Sequence, residues 1–318
     1  MSGAPQRAVL LLNLGGPETL ADIRGFLTNL FSDRDIIRLP GGAALQPLLA
    51  RLIAALRAPK VAPLYGAIGG GSPILALTRA QAKALAQETG LPCYVAMRYS
   101  PPFVEDALKE AAASGAAEIV ALPLFPHYSR ATTGSVFAEI ERARARLGVK
   151  LKVRRVRSYP DHAGYVAALA ETITEALARF SEAERPKVRL IFSAHGLPVS
   201  FTREGDPYVA ELERTIRALE GVMALPRWDL TFQSRTGPMR WLEPTTRLTL
   251  EKLLAEGVRH LVMVPISFVS DHLETLHEMD ILYRGQAEAA RAVLIRAPAL
   301  NDRPAFIAAL AQLVGSAA

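Results

Sequence analysis

The sequence predicts an α/β protein with two Rossmann-like domains, each a four-stranded parallel sheet flanked by helices. Short β-rich apolar runs alternate with amphipathic helical patterns along the whole chain. The helical patterns are long enough for the crossovers that join parallel strands. The eight predicted strands fall into two groups of four, and 318 residues suit two domains of ~150 residues. We place the domains at residues 1–162 and 163–302, and we expect helix 303–318 to return to the first domain.

The predicted strands are short apolar runs, and each is followed by a turn or by a helical pattern. In chain order they lie near Ala8–Leu14, Pro92–Arg98, Glu118–Pro123, Leu151–Arg157, Val188–Ser193, Asp229–Gln233, His260–Ile266 and Arg291–Arg296. The predicted helices repeat apolar residues three and four positions apart. They lie at Thr19–Leu30, Ile74–Gln87, Val104–Ala113, Gly164–Phe180, Pro207–Leu219, Thr245–Ala255 and Arg303–Val314.

Polar and aromatic residues gather where these strands end. Open parallel sheets bind ligands beyond the carboxyl ends of their strands. The residues at those ends are Asn13–Pro17, Arg98-Tyr99, Pro126–Tyr128, Ser193–Gly196, Gln233–Arg235 and Ser267–His272. With two sheets, we expect the ligand site in the cleft between the domains.

The composition excludes several classes of protein. Cys93 is the only cysteine, which excludes an internal disulfide or a thiolate metal cluster, and we interpret it as a small buried core residue. No stretch approaches the ~20 apolar residues of a membrane-spanning helix. The N-terminal residues do not resemble a signal peptide, so we expect a cytoplasmic protein. The net charge of +6 suits an anionic small molecule or a membrane surface, without choosing between them.

Two segments carry the candidate chemistry. In FSAHGLP, a turn at Gly196 and Pro198 presents His195 to the cleft, although a histidine that only hydrogen-bonds a loop remains an alternative. In SDHLETLHEMD, the carboxylates of Asp271, Glu274 and Glu278 are spaced so that an α-helix stacks them on one face. A solvated outer face is the ordinary explanation of such a ladder. At a ligand site, the same ladder would carry a cation or pass protons.

Motifs of other enzyme classes are absent from the sequence. It contains no zinc-protease, EF-hand, P-loop or dinucleotide fingerprint. The glycine-rich segment at 69–73 lacks the lysine of a P-loop. We interpret it as a helix start, with Ser72 as N-cap and Pro73 as the first helical residue.

Six segments in order resemble the ferrochelatase family. They are NLGGPETLADIRGFLTNLFSDRDII, YGAIGGGSPI, AMRYSPP, FSAHGLP, FQSRTGPMRWLEP and VPISFVSDHLETLHEMDI, and they extend from residue 13 to about residue 283. Each segment is weak alone, whereas six in the family's order are specific. The resemblance implies the class II chelatase fold. It also implies an enzyme that inserts Fe²⁺ into protoporphyrin IX to give protohaem, with release of two protons, as the terminal step of haem biosynthesis.

The resemblance also implies the site residues. His195 and Glu274 match the catalytic pair, placed on opposite walls of a slot for the macrocycle, and both are candidate metal ligands. Asp271, His272 and Glu278 match the outer part of an acidic relay, on a helix that carries a π-type irregularity in relatives. The residues implied for porphyrin binding are Leu14, Arg57, Tyr65, Ser72, Arg98, Tyr99, Trp241 and Phe268.

These residue types suit metal insertion. A porphyrin must lose two pyrrole protons, and a planar ring hides its nitrogen lone pairs. A neutral imidazole at His195 serves as a base or as a transient iron ligand, and Glu274 takes the second proton or hands over the metal. We expect Trp241, Tyr99 and Phe268 to clamp the ring in a distorted form.

We expect no tightly bound cofactor, because ferrous iron is a substrate. We also expect no iron–sulfur cluster, because Arg130 stands where cluster-bearing relatives have a cysteine. The expected partners are porphyrin and ferrous iron, with no nucleic acid. The apolar helix Leu45–Leu56, with Arg51 and Arg57, is either a lip that touches the inner face of the cell membrane or a cover for the cleft.

Several alternatives stay open at this point. A chelatase that inserts cobalt into a corrin precursor and a haem carrier without chemistry are the two rival functions. The sequence favours protoporphyrin over coproporphyrin only through likeness to cysteine-poor Gram-negative forms. His127 and His277 are either further cleft ligands or substitutions without a role. The oligomeric state and the route of iron entry are not readable from these motifs.

Overall fold

Two compact α/β units make up the chain in the computed structural model, which describes residues 6–235 and 239–317. Unit 1 comprises the residues up to Tyr159 together with those from Ile307 onward, and unit 2 comprises Pro160–Phe306. Each unit contains a four-stranded sheet in which every pairing is parallel. The predicted fold class is confirmed. The division between the units falls slightly before the boundary expected after residue 162.

Unit 1 is built on a sheet with the strand order β2-β1-β3-β4. Its strands are β1 (Gln6–Asn13), β2 (Cys93–Met97), β3 (Ala116–Pro123) and β4 (Lys152–Arg155). Residues Ala8 to Leu12 of the central strand β1 are fully buried. A central parallel strand is covered by helices on both faces, which explains why its sequence is continuously apolar rather than alternating.

The helices of unit 1 agree with the sequence pattern, with two exceptions. They are α1 (Ile23–Ser32), preceded by a 3₁₀ turn at Leu20–Asp22, then α2 (Gly42–Ala67), α3 (Ile74–Thr89), α4 (Val104–Ala113) and α5 (Ser135–Leu147), preceded by a π turn at Arg130–Gly134. Helix α2 continues through Pro59 and Pro63, well beyond the predicted Leu45–Leu56. Helix α5 was not predicted.

Unit 2 is built on a sheet with the strand order β6-β5-β7-β8. Its strands are β5 (Arg189–His195), β6 (Trp228–Gln233), β7 (His260–Val264) and β8 (Val293–Arg296). Strand β5 pairs with both β6 and β7, so Leu190 lies beside Trp228 on one side and Val262 on the other. Leu190, Ile191 and Phe192 are fully buried at the centre of this sheet.

The α-helices of unit 2 are α6 (Ala163–Leu177), α7 (Val199–Arg203), α8 (Tyr208–Val222), α9 (Thr246–Ala255) and α10 (Arg284–Ala289), with a 3₁₀ turn at Arg185–Lys187. The final helix, α11 (Pro304–Ser316), begins in unit 2 and continues among the residues grouped with unit 1. The Arg7 guanidinium of β1 donates to the Ala317 carbonyl oxygen at 2.8 Å, just past this helix. Within the described ranges, no helix has the length and apolar character needed to cross a membrane.

The helix that follows β7 is a π-helix, Glu274–Tyr283, rather than an α-helix. The π-type irregularity implied by the family resemblance is therefore confirmed. The prediction that an α-helix stacks Asp271, Glu274 and Glu278 on one face is wrong. Asp271 precedes the helix, and bonding of residue i to i+5 changes which residues share a face.

Candidate active site

His195 is the last residue of β5, at the carboxyl edge of the sheet of unit 2. Its backbone N–H donates to Ser267 Oγ at 3.0 Å, and its carbonyl oxygen accepts from the Tyr208 hydroxyl at 3.2 Å. The next residue must be glycine, because a Cβ at Gly196 would lie 2.7 Å from the Gln233 carbonyl oxygen. These contacts hold the backbone of His195 while its side chain remains 39% exposed.

Glu274 begins the π-helix and contacts His195 directly. Its Oε2 lies 2.9 Å from Nδ1 of His195. Strands β5 and β7 are parallel neighbours, so the residues that follow them meet at one edge of the sheet. The prediction that this pair faces each other from opposite walls is wrong. Both residues belong to unit 2, and no macrocycle fits between atoms in hydrogen-bond contact.

Glu278 extends this polar group towards the end of β6. Its carboxylate accepts from the Ser234 hydroxyl at 2.8 Å and from Gln233 Nε2 at 3.3 Å. Gln233 Nε2 also lies 3.3 Å from the Glu274 carbonyl oxygen. One amide at the end of β6 therefore contacts both the backbone of Glu274 and the side chain of Glu278. Gln233 and Ser234 were not selected from the sequence. Both lie at the end of β6, which neighbours β5, and this position is the feature that could have identified them as site residues.

The charged groups of His195, Glu274 and Glu278 shift one another's pKa values. Burial opposes the charge of Glu274, but the adjacent His195 imidazole outweighs burial, and the pKa of Glu274 is lowered. Burial likewise opposes an imidazolium at His195, but the Glu274 carboxylate outweighs it and raises the pKa of His195. For Glu278, burial and the negative charge of Glu274 act together to raise its pKa. Glu274 is therefore the ionised carboxylate, and Glu278 is the one that binds a proton more readily.

The predicted relay through Asp271 is not continuous. The Asp271 carboxylate pairs with Arg296 at 2.9 Å and accepts from the side chains of Asn301 and Thr275. His272 lies closer to the pair, with Nδ1 at 3.0 Å from the Ser270 carbonyl oxygen, and burial lowers its pKa. The expectation that Asp271 continues the acidic relay is therefore corrected, because its oxygens are directed to Arg296, Asn301 and Thr275.

Two aromatic side chains predicted to bind porphyrin lie near His195 or the turn that follows it. The Phe268 ring lies edge-on to the imidazole of His195, with 6.3 Å between ring centroids. The segment of Trp241 pairs with Pro198, and a Cβ at Gly196 would lie 3.5 Å from the Trp241 ring. The indole N–H of Trp241 is buried and has no hydrogen-bond partner among the residues described. Residues 236–238 of the same sequence segment lie outside the described residues.

Arg98 and Tyr99 follow β2 in unit 1, where a buried carboxylate holds both. Asp33 accepts from the Tyr99 hydroxyl at 2.7 Å and pairs with the Arg98 guanidinium at 2.9 Å. Arg98 Nε also donates to Ser135 Oγ at 2.9 Å. Tyr99 is only 1% exposed, so the prediction that its ring clamps the macrocycle is wrong. Asp33, which organises this group, was not predicted.

The other residues predicted for porphyrin binding lie near the glycine turns of unit 1. Leu14 is half-buried after β1, and its carbonyl oxygen accepts from the Tyr99 N–H at 2.9 Å. Ser72 is half-buried and donates its N–H to Pro17 at 2.7 Å. Helix α3 begins at Ile74 with Pro73 at the cap, so the predicted helix start at Ser72 is displaced by one residue.

The last two predicted porphyrin contacts belong to α2. The Arg57 guanidinium lies 5.6 Å from the centroid of the Phe31 ring and is half-buried. Tyr65 is 6% exposed, so little of its ring is available to a ligand.

The remaining candidate ligands are distributed separately. His127 is 2% exposed within unit 1, and burial lowers its pKa to about 3, so it is not a cleft ligand. His277 lies half-buried on the π-helix. Cys93 is half-buried rather than fully buried, and this partial burial raises the pKa of its thiol to about 12. Over residues 6–235 and 239–317, no group of three or more His, Cys, Asp or Glu side chains is arranged to hold a metal ion.

Comparison with known proteins decides the family. The model of the ferrochelatase family matches residues 6–318. The chain is 49% identical to a ferrochelatase of Geotalea uraniireducens over 96% of each chain, and 50% identical to that of Geobacter metallireducens over 98% of each. The chain belongs to the ferrochelatase family. As predicted, it is therefore grouped with metal-inserting enzymes, and the two rival functions lose their support.

The fold of this ferrochelatase-family chain also matches a solved chelatase. SirB from Bacillus subtilis, solved with Fe³⁺, superposes with a TM-score of 0.61 over 98% of this chain and 96% of SirB. At 12% identity, that likeness concerns the fold alone. It agrees with the two parallel four-stranded sheets and with the predicted class II chelatase fold.

Proposed function

We propose that this chain inserts Fe²⁺ into protoporphyrin IX, as the terminal step of haem biosynthesis, with His195 and Glu274 as the reacting pair. The reaction breaks two pyrrole N–H bonds, forms four bonds from nitrogen to iron and releases two protons. The observation that carries the proposal is the 2.9 Å contact between Nδ1 of His195 and the Glu274 carboxylate at the sheet edge. This contact joins a base to a charge that stabilises its protonated form.

The contact determines which imidazole nitrogen accepts a proton. With Nδ1–H donating to Glu274, the lone pair of the neutral ring lies on Nε2. When Nε2 takes a pyrrole proton, the imidazolium that forms lies against an ionised carboxylate. The hydrogen bonds to the backbone of His195 keep this geometry in place before the porphyrin binds.

Glu278 is proposed as the next proton acceptor. Its raised pKa makes it a better base than an ordinary carboxylate, and Gln233 and Ser234 hold its oxygens. The two protons then go to different groups: the first makes a cation of His195, and the second makes Glu278 neutral. The His195 imidazole and the Glu274 carboxylate also supply the kinds of ligand that hold Fe²⁺ loosely enough for transfer.

The aromatic residues are proposed to bind the porphyrin. Trp241 lies near Gly196 and Phe268 lies beside His195, and flat rings stack on a macrocycle. In unit 1, we propose Arg57 and Ser72 as contacts for propionate groups, Arg98 as a further cationic contact and Leu14 as a contact for the ring. A ring bent by such contacts exposes its nitrogen lone pairs to the metal.

The test removes each member of the pair. We expect His195→Ala and Glu274→Gln to lower kcat for ferrous-iron insertion by about 100-fold or more, because a positioned base contributes on that scale. Their porphyrin affinities, measured by fluorescence quenching, should stay within about 3-fold of the unmodified chain. Matched controls are His260→Ala, at the amino end of β7, and Glu256→Gln on the surface. Normal insertion by His195→Ala would refute the proposal.

The choice of porphyrin is tested separately. We propose protoporphyrin rather than coproporphyrin as the substrate. The supporting observation is the likeness of the six sequence segments to cysteine-poor Gram-negative forms. Initial rates with the two porphyrins, measured side by side at equal concentration, check this choice. A clearly higher kcat/KM for coproporphyrin would overturn it.

We also propose that the protein is cytoplasmic and touches the inner membrane face through α2. Four leucines of this helix are exposed and share one side of the helix at spacings of three and four residues. They are Leu45, Leu48, Leu52 and Leu56, with exposed fractions of 47%, 63%, 54% and 62%. The exposed Arg51 suits anionic lipid headgroups.

The membrane proposal is tested with lipid vesicles. We expect the chain to sediment with phosphatidylglycerol vesicles, and the double variant Leu48→Gln, Leu52→Gln to lose most of this binding because it removes apolar contact area. Leu248→Gln in unit 2, where the leucine is 49% exposed, is the matched control. Equal sedimentation of the double variant and the unmodified chain would contradict the proposal.

A further inference from the structure

Arg296, the last residue of β8, joins two carboxylates that the proposed reaction does not use. One guanidinium nitrogen lies 2.9 Å from Oδ1 of Asp271, and another lies 2.8 Å from Oδ2 of Asp280. Nε of Arg296 donates to the same Asp280 oxygen at 2.9 Å. All three side chains are largely enclosed, with exposed fractions of 11% for Arg296, 18% for Asp271 and 19% for Asp280.

The two carboxylates lie on either side of the residues proposed for catalysis. Asp271 precedes the π-helix, Asp280 lies within it, and Glu274 and Glu278 come between them. Glu274 and Glu278 turn towards His195 and Ser234. The same segment therefore uses one side for the reacting groups and the other for Arg296.

The two carboxylates mark the start of the π-helix and a point within it. Asp271 lies in the non-helical residues just before Leu273, whereas Asp280 is the seventh residue of the helix. Because Arg296 contacts both, it holds the entry of the helix and its seventh residue at one fixed separation. A π-helix bonds residue i to i+5, so a change to α winding would alter that separation.

The start of the helix is held by the same group. The Asp271 backbone N–H donates to Asn301 Oδ1 at 2.9 Å, and Asn301 Nδ2 donates to Asp271 Oδ2 at 2.9 Å. The Thr275 hydroxyl donates to Asp271 Oδ1 at 2.9 Å. Asn301 adopts a left-handed backbone conformation, with φ of 45°, in the loop that follows β8. Asp271 is thus tied to β8 and to its following loop at the same time.

We propose that Arg296 is a positioning residue that holds the π-helix in the winding that brings Glu274 to His195 and Glu278 to Ser234. This inference rests on the proposed function of those carboxylates. Arg296 touches neither His195 nor Glu274 and acts only through the backbone that carries them. An arginine suits the role because its planar fork binds two carboxylates at once, whereas a lysine ammonium is a single point charge.

The sharpest test is Asp280→Asn. This substitution keeps the shape of the side chain and the pairing of Arg296 with Asp271, but it weakens the attachment of the helix itself. We expect kcat for metal insertion to fall by about 10- to 100-fold, because a small displacement of a reacting group has effects of that size. The KM for porphyrin should stay within about 2-fold, since the ring-binding residues are unchanged.

Hydrogen exchange measured by mass spectrometry supplies a readout that needs no activity. In Asp280→Asn, peptides covering residues 270–285 should exchange about 10-fold faster or more, while the β5 and β6 peptides keep their rates. The matched control is Arg284→Gln, because Arg284 binds the other oxygen of Asp280 at 2.8 Å without reaching Asp271. We expect this control to behave as the unmodified chain does in both measurements.

A second variant protects the test against a general loss of folding. Arg296→Lys keeps the positive charge but cannot hold both carboxylates, so it should reproduce the local exchange and the fall in kcat. The inference is overturned if Asp280→Asn and Arg296→Lys fold and show unchanged exchange in the π-helix or unchanged kcat. It is also overturned if exchange rises evenly through unit 2, which would indicate only a stability role. If the unmodified chain has no insertion activity, the proposed function is refuted instead. The hydrogen-exchange rates would then still test whether Arg296 stabilises the π-helix.

Discussion

Glu278 is the residue whose protonation should be visible in the pH dependence of the reaction. Its pKa is raised by burial and by the charge of Glu274, and it accepts a proton only when it is ionised. Activity should therefore rise with pH as Glu278 loses its proton. In Glu278→Gln the part of this rising limb that belongs to Glu278 should vanish, whereas the part that belongs to His195, which must also lose a proton before it accepts one, should remain. At neutral pH kcat should fall by about 10- to 100-fold.

The profile is measured as kcat from about pH 5 to about pH 9. Glu251→Gln, an exposed carboxylate on α9, serves as the control and should keep the limb. A rising limb that persists unchanged in Glu278→Gln would assign it to another group.

His127 is expected to make the fold sensitive to acid. Its pKa is about 3 in the folded chain because the imidazole is buried, against an ordinary value of 6.5. Between these values the unfolded chain binds more protons, so stability falls as the pH drops from 6.5 towards 3. The loss should be about 2 kcal/mol by about pH 5. Well above pH 6.5, where the imidazole is neutral in the unfolded chain too, His127 adds no pH dependence.

This prediction is checked by urea unfolding at several pH values. His127→Gln should remove about that 2 kcal/mol of pH dependence, whatever its effect on the absolute stability. The exposed carboxylates titrate equally in both chains and cancel in the comparison. Identical slopes of stability against pH for the two chains would show that His127 is not the responsible group.

At the scale of elements, the place of a strand within its sheet decides what a mutation costs. Leu10 in the central strand β1 is fully buried, whereas Val153 in the edge strand β4 is only half-buried. We expect Leu10→Ala to lower the free energy of unfolding by about 3–5 kcal/mol through lost contact and an internal cavity. Val153→Ala should cost about 1 kcal/mol, since the edge position is partly hydrated already. Denaturant titrations of both variants measure the difference, and equal costs would contradict the sheet order.

The π-helix is the element in which local pattern and tertiary contact disagree. Its sequence carries carboxylates at spacings that an α-helix would stack, and this spacing led to the expectation of a continuous acidic ladder. In the structure, Asp271 and Asp280 both contact Arg296. Glu274 instead contacts His195. Glu278 accepts a hydrogen bond from Ser234. Two sets of contacts along residues 271–280 thus separate the structural carboxylates from those proposed for catalysis.

At the scale of the whole molecule, the excess of basic residues should govern binding to lipid. The chain carries 37 Lys and Arg against 31 Asp and Glu, a net charge of +6. Attraction to an anionic surface is screened over about 10 Å at 0.1 M salt. Raising the salt from about 0.05 M to about 0.5 M should therefore weaken binding to phosphatidylglycerol vesicles about 10-fold or more.

The control for this salt effect is binding to neutral phosphatidylcholine vesicles, which depends on the leucines of α2 and should change little. Sedimentation with both kinds of vesicle across the salt series separates the two contributions. Binding to anionic vesicles that does not respond to salt would show that charge plays no part.

The fold class, most element positions and the family follow from local features of the sequence. Apolar periodicity and turn residues are local properties, and eight short strands alternating with helices permit few architectures. The chemistry of His195 and Glu274 was also recognisable, because the segments that carry them are short and specific. The length of α2 beyond Pro59 escaped prediction, because proline usually ends a helix and packing overrides that local preference here. Helix α5 was missed although its buried Val136, Ile140 and Ala143 repeat at helical spacing.

Which side chains meet depends on how the elements assemble in the folded chain. His195 and Glu274 touch because β5 and β7 are neighbours in the strand order β6-β5-β7-β8, and no periodicity encodes that order. Tyr99 is buried against Asp33, which lies far from it in sequence. Arg296 likewise binds Asp271, which precedes the π-helix, and Asp280, which lies within it. Contacts between distant segments depend on how the sheet assembles, so they became visible only in the folded chain.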